Sequence, residues 1–265
     1  MTNSSSTWTG LVPVDDTALA VTDTGGAGIP IVYLNGAYAS QRDWRHLVAE
    51  LGSEWRHITY DERARGRSKR SADYSFEATV RDVDAVLAAR HVDEPVVLVG
   101  WSYGAFTALY WGTRNPGRLL GAVAVDGAYP SGLTGDAGRE RIRKLFHKMR
   151  WVLPVAHLVG KAARMSAAQH ADVNIELNEI AANCAPVLDR VTFPFHYVVA
   201  SNGNLGAEAH EMADVRATLD PILARNPNLQ VSAKVESNHS QIVAKDFPAI
   251  ATAVRKIAGG VQPRA

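Results

Sequence analysis

A single cysteine, Cys184, among 265 residues excludes an internal disulfide framework. No run of about 20 apolar residues occurs, so no segment reads as a membrane span. Neither sign of charge dominates: 28 basic residues against 27 acidic ones leave a formal charge of +1. That balance favours neither nucleic acid nor an anionic membrane as a partner. The polar start Met1-Thr2-Asn3-Ser4-Ser5-Ser6-Thr7 has neither the basic nor the apolar region of a secretory signal. His-Glu-x-x-His is absent, and Glu208-Ala209-His210-Glu211 lacks metal-ligand spacing, so neither a metal nor any other cofactor is expected. Internal repeats and low-complexity linkers are missing too. These absences leave a soluble cytoplasmic protein as the default expectation, long enough for one large α/β domain or two small ones, with its oligomeric state open.

What is present is alternation. Short apolar runs at 11–14, 19–23, 29–34, 57–60, 95–99, 120–125, 195–200 and 230–235 predict strands. Amphipathic stretches at 42–51, 76–89, 105–111 and 242–257 predict helices. Thr24-Gly25-Gly26-Ala27-Gly28 lacks the Lys-Ser/Thr ending of a phosphate cradle and is expected to be a hairpin turn. The alternation predicts an α/β fold with a mostly parallel, doubly covered sheet. The rhythm breaks after Asp126. From 139 to 190 the chain is helical and strand-poor, with Ile142, Leu145, Phe146, Met149 and Leu153 in one apolar stripe. Seven basic residues from Arg139 to Arg150 read as a solvated helix face. An insertion of about 60 residues is too long for an ordinary connection. The chain is therefore expected to divide into a core, 1–126 and 191–265, and a helical cap, 127–190. This cap would be a lid inserted after the sixth core strand, over the strand ends where open α/β sheets bind ligands.

The chemistry centres on Gly100-Trp101-Ser102-Tyr103-Gly104, between a predicted strand and a predicted helix. A Gly-x-Ser-x-Gly in that setting is a nucleophile elbow, a strained turn that lifts one serine hydroxyl above a sheet. A serine hydroxyl needs a base, and the base needs an orienting carboxylate. Of nine histidines, His239 alone lies in a short loop between the last strand and the final helix, at the carboxyl edge of the sheet. His210, in a segment read as irregular, is the remaining competitor. An oxyanion would take two backbone donors, the N–H of Tyr103 and the N–H of Ala37 in the turn after strand 29–34.

Asn35-Gly36, Asp61-Glu62-Arg63-Ala64-Arg65-Gly66-Arg67-Ser68, the elbow at 100–104 and His239 stand in one order along the chain. In that order they resemble the landmarks of the α/β-hydrolase superfamily, in particular its lidded bacterial serine esterases and lactonases. Asn35-Gly36 replaces the usual His-Gly, and Ala64 replaces the first glycine of Asp-x-Arg-Gly-x-Gly-x-Ser. The resemblance also exposes a gap. Asn204, in Ser201-Asn202-Gly203-Asn204, stands where most relatives carry the acid. Some members take it from the end of the preceding strand, which makes Asp126 the favoured candidate. Glu208, Glu211 and Asp214 are the alternatives, and a protein with no acid is a third option. The basic run Arg63, Arg65, Arg67, Lys69 and Arg70 belongs to the family's Arg-Gly loop, so a structural, ion-paired role is expected for it.

The function this implies is serine hydrolysis of a carboxylic ester or lactone of small to medium, apolar character. Ser102, His239 and Asp126 would be the catalytic residues. An elbow serine argues against haloalkane dehalogenase and epoxide hydrolase chemistry, which in this superfamily uses aspartate there. Carbon–carbon bond hydrolysis, perhydrolysis, thioester cleavage and non-catalytic ligand binding stay open. Tyr38, Trp101, Tyr129, Phe146 and Trp151 are candidate substrate contacts, with core packing an equal reading for each. Trp101 would pack beneath the serine, and Cys184 would fill cap volume.

Overall fold

The chain opens with a hairpin of β1 (Trp8–Val14) and β2 (Thr17–Asp23), turning on Asp15 at φ 43°. There follow β3 (Pro30–Leu34), α1 (Arg45–Leu51), β4 (Arg56–Tyr60), α2 (Phe76–Ala89), β5 (Val96–Trp101), α3 (Tyr103–Arg114) and β6 (Leu119–Val125). Four helices come next: α4 (Gly135–Met149), α5 (Leu153–Leu158), α6 (Ala167–Ala182) and α7 (Ala185–Leu188). The chain ends with β7 (Phe195–Ala200), α8 (Ala209–Ala217), α9 (Asp220–Leu223), β8 (Leu229–Val235), α10 (Ile242–Lys245) and α11 (Phe247–Gly259). This computed structural model describes residues 6–158, 162–204 and 208–259. Part of the polar N-terminal stretch, three residues of the expected cap and three beyond Asn204 lie outside them.

The strands form one sheet in the order β1-β2-β4-β3-β5-β6-β7-β8. From β4 to β8 every neighbouring pair is parallel, while β2 runs antiparallel to both β1 and β4. Both faces are covered, which is why the parallel strands read as unbroken apolar runs rather than alternating ones. Val96 and Leu98 point into a core shared with α2 and α3. Their neighbours Val97 and Val99 point the other way, into a second core closed by α1 and α11.

The segment after β2 departs from the expected hairpin. Because β2 pairs with β1 and β4, residues 24–29 carry the chain past β4 to reach β3. The crossing is tight enough that a Cβ on Gly28 would collide with the Glu54 carbonyl. The final helix is also split, since Pro248 at the second position of α11 has no N–H to continue α10. Two helices, α8 and α9, occupy a stretch expected to be irregular. Glu208 and Glu211 form a reciprocal capping box at the start of α8, which lacks an apolar stripe.

Between β6 and β7, α4 packs on α6 around a small core of Ile142, Phe146, Leu153, Ala162, Ala171 and Ile175. Leu145, expected on that buried stripe, is instead exposed. These helices are tied to loops that leave the carboxyl ends of β3 and β4. Asn174 Nδ2 donates to the Tyr38 hydroxyl at 3.1 Å, and the Arg164 N–H donates to the Ala64 carbonyl at 2.8 Å. Helix α7 belongs to the main core, and Cys184 fills that core rather than the insertion. No helix among the described residues is long and apolar enough to cross a membrane.

Candidate active site

Strands β3 and β5 are hydrogen-bonded neighbours, with Leu34 beside Gly100. From β3 the chain goes to β4 on one side, and from β5 to β6 on the other. The loops leaving β3 and β5 therefore diverge and open a crevice at the carboxyl ends of the sheet. Ser102 stands between those loops, in the turn from β5 to α3. Its φ of 54° and ψ of −109° are costly for a residue with a side chain, on the order of 1–3 kcal/mol. The surroundings enforce the turn: the Ser102 N–H donates to the Val125 carbonyl at 3.0 Å. Cβ atoms on Gly100 or Gly104 would collide with the Gly104 and Leu34 carbonyls respectively. On the loop side, a Cβ on Gly36 would lie 3.6 Å from the Ser102 Cβ.

His239 reaches Ser102 from the loop after β8. Its Nε2 lies 3.0 Å from the Ser102 Oγ, and its Nδ1 lies 2.8 Å from Asp126 Oδ2. The loop is held by the Trp101 indole N–H, which donates to the His239 carbonyl at 3.1 Å. Asp126 follows β6 in a backbone turn with φ 44° and is 2% exposed. Beside His239 it accepts from the Tyr129 hydroxyl at 2.8 Å and from the Ala200 N–H at 3.2 Å. Arg216 donates to both carboxylate oxygens, through Nε and Nη2, each at 3.0 Å. Burial works against ionisation of Asp126, but the hydrogen bonds from His239 and Arg216 outweigh it and hold the carboxyl at about 2. The group is thus charged throughout the neutral range.

The turn Asn35-Gly36-Ala37 rests on a second buried carboxyl. Glu62 accepts from the Asn35 N–H at 2.9 Å and from Asn35 Nδ2 at 2.8 Å. Asn35 Oδ1 in turn accepts from the Trp44 indole at 2.7 Å. Burial pushes Glu62 up to about 7, against the charge of Arg65 and the Asn35 bonds. The Ala37 carbonyl accepts from Arg65 Nε at 2.8 Å. Tyr103 is the first residue of α3, so its N–H has no acceptor within the helix. The Ala37 and Tyr103 N–H groups carry no hydrogen bond among the described residues.

The structure thus brings Ser102, His239 and Asp126 into one chain of contacts, with Ala37 and Tyr103 beside it. It does not gather the candidate substrate contacts. Tyr129 is buried on Asp126, and Trp101 braces the His239 loop. Phe146 belongs to the α4–α6 core and stacks on His170, whose ring also stacks on Tyr38. Trp151 is 75% exposed. Glu208, Glu211, Asp214 and His210 are all exposed on or beside α8. Arg216 and Glu62 are the buried groups the sequence did not single out as parts of this site. Arg216 sits on an unforeseen helix with no motif around it. Among the described residues, no cluster of three or more His, Cys, Asp or Glu side chains could hold a metal ion.

A sequence model of the alpha/beta hydrolase fold matches residues 29–180, more than half of the chain. The chain belongs to the alpha/beta hydrolase fold family. Among curated relatives, the uncharacterized protein YqjL of Bacillus subtilis is 31% identical over 105 residues, 39% of this chain and 42% of that protein. A haloalkane dehalogenase of Mesorhizobium japonicum is 28% identical over 141 residues, 52% of this chain and 45% of the relative. The matches thus span less than half the length of these two relatives. Among solved structures, a thermophilic esterase from Thermogutta terrifontis superposes with a TM-score of 0.72 at 17% identity, covering 95% of this chain and 98% of the other. The haloalkane dehalogenase DatA from Agrobacterium tumefaciens gives 0.71 at 19% identity, covering 96% and 97%. At such identities the superpositions establish the fold alone.

Proposed function

We propose that this alpha/beta hydrolase is a serine hydrolase that cleaves a carboxylic ester or lactone of small to medium size through an acyl-enzyme. The Ser102 oxygen attacks the carbonyl carbon as His239 Nε2 takes its proton. Asp126 holds the ring through Nδ1 and stabilises the imidazolium that forms. The N–H groups of Ala37 and Tyr103 receive the oxyanion. Collapse expels the alcohol, which takes the proton from His239, and water then releases the acid by the same steps in reverse. The observation that carries this reading is the run of contacts from Ser102 Oγ to His239 at 3.0 Å and on to Asp126 at 2.8 Å. A helical lid formed by α4 to α6 is part of the proposal, since those helices are tied to the loops bordering the crevice.

Dehalogenases among the relatives do not transfer their activity, because alkylation of a serine would give an ether that water cannot cleave at a carbonyl. The test is incubation with a fluorophosphonate followed by intact-mass measurement. Prompt single labelling, abolished in Ser102→Ala and strongly slowed in His239→Ala, is the expected result. An unlabelled wild-type protein would indicate a ligand-binding relative instead. A panel of esters, lactones, thioesters and diones then separates the chemistries open to an acyl-enzyme.

A further inference from the structure

Three arginines are buried among the described residues: Arg63, Arg65 and Arg216. Two of them are fully matched. Arg63 donates to both oxygens of Asp82, at 2.9 and 2.7 Å, and to Asp15 at 2.6 Å. Arg216 grips both oxygens of Asp126. Arg65 is 6% exposed, and no carboxylate oxygen among the described residues lies within 4 Å of its guanidinium. A family-loop role in ion pairing therefore describes Arg63 and not Arg65. A guanidinium taken from water without a counter-ion is unfavourable by several kcal/mol unless something else completes it.

The hydrogen bonds of Arg65 leave one side of the fork open. Nε donates to the Ala37 carbonyl at 2.8 Å, and Nη1 makes a long contact to the Arg63 carbonyl at 3.4 Å. Nη2 has no partner among the described residues, and it is not one of the sealed polar atoms either. The bond from Nε anchors the side chain at the turn beside the serine. Ala37 belongs to the turn that faces Ser102, and the Arg65 carbon lies 5.8 Å from the ring of Tyr103, the residue after the serine. The residue preceding Arg65, Ala64, accepts from the Arg164 N–H at 2.8 Å, so this loop borders the segment that joins α5 to α6. Glu62, whose carboxyl responds to the Arg65 charge, spends both oxygens on Asn35.

We propose that Arg65 is a specificity residue that binds a carboxylate carried by the substrate, so that the ester or lactone cleaved at Ser102 bears a free acid group. A planar fork with one face committed to a main-chain carbonyl and the other open is suited to carboxylate recognition. The apolar substrate expected from the sequence then acquires one anionic end. This inference rests on the serine-hydrolase reading for the reacting bond, but not for the anion site itself.

The experiment compares matched esters that differ only in charge. On the alcohol side the pair is 4-acetoxybenzoate and methyl 4-acetoxybenzoate. On the acyl side it is the 4-methylumbelliferyl ester of monomethyl adipate and that of adipate. For each pair the ratio of kcat/KM, anionic over neutral, is measured in wild type, Arg65→Gln and Arg65→Lys. Taking the ratio within each protein removes any general damage to the Ala37 turn. For at least one pair, the ratio should fall about 10- to 100-fold in Arg65→Gln, mainly through KM, and less in Arg65→Lys. Ratios that are the same in wild type and Arg65→Gln, or a wild type that prefers the neutral ester in both pairs, would overturn the proposal. If no ester is cleaved, the serine-hydrolase reading fails while the anion site is still read by binding. Adipate or 4-hydroxybenzoate should then raise the wild-type Tm but not that of Arg65→Gln, and no shift with either would reject the site. Should Arg65→Gln not fold, the wild-type and Arg65→Lys ratios and Tm shifts decide alone.

Discussion

Glu62 makes a prediction that does not depend on knowing the substrate. Its carboxyl, ordinarily near 4.5, is pushed up to about 7 by burial beneath the Asn35-Gly36-Ala37 turn. The folded protein therefore holds this proton more tightly than the unfolded chain, and protonation favours folding. The advantage is complete below pH about 4.5 and is lost as the pH climbs through about 7. At about 1.4 kcal/mol per pH unit of separation, the whole effect is about 3 kcal/mol. In a chain of this size that corresponds to roughly 6–12 °C in Tm. The assay is urea unfolding of wild type and Glu62→Gln from pH 4.5 to 8.5. Glutamine sets its amide N–H against the Asn35 amide, which adds a destabilisation independent of pH. Superimposed on that offset, wild type should lose about 3 kcal/mol relative to the variant across the window. Two stability curves that stay parallel from end to end would refute the reasoning, since Glu62 would then titrate alike folded and unfolded.

Asp126→Asn should lower kcat at least about 100-fold, and near-normal turnover would move the acid's role to Glu208, Glu211 or Asp214. With its carboxyl at about 2 when folded, Asp126 stabilises wild type by about 2 kcal/mol at neutral pH. That contribution should fade between pH about 4 and 2, a slope the Asn variant should lack. Arg216→Met leaves a buried carboxylate short of its bidentate partner and should cost about 3 kcal/mol or more in urea unfolding. An unchanged midpoint would mean that water replaces the guanidinium. Gly104→Ala drives a methyl group into the Leu34 carbonyl, so the elbow must shift. Stability should drop by about 2 kcal/mol with fluorophosphonate labelling slowed, and a variant indistinguishable from wild type in both would contradict the close approach.

The parallel core was legible because strands buried on both faces read as short unbroken apolar runs, while the helices between them show amphipathic periodicity. The elbow was legible because two glycines and a serine at fixed spacing have one steric explanation. Contacts made across the fold were harder. The order β2-β4-β3 reverses the chain order, and nothing local at 24–28 distinguishes a hairpin from a crossing strand connection. Helix α8 has no apolar stripe because it is anchored through the polar Arg216 rather than through a greasy face. Cys184 lies in the main core rather than the cap, and Leu145 on the surface rather than in the stripe, for a related reason. Helical periodicity shows that a face will be buried, but the docking partner is set by segments far away in sequence.

The helical insertion begins directly beyond Asp126. Tyr129, among the first residues of that connection, is buried with its hydroxyl on the Asp126 carboxylate. Any swing of the inserted helices about the stretch at 127–134 must therefore either keep Tyr129 seated as a fixed pivot or strip a donor from the charged group that orients the imidazole. With Tyr129 seated, the proposed lid could move while the imidazole keeps its brace; only a swing large enough to unseat that phenol would couple uncovering of the serine to a weaker hold on its base.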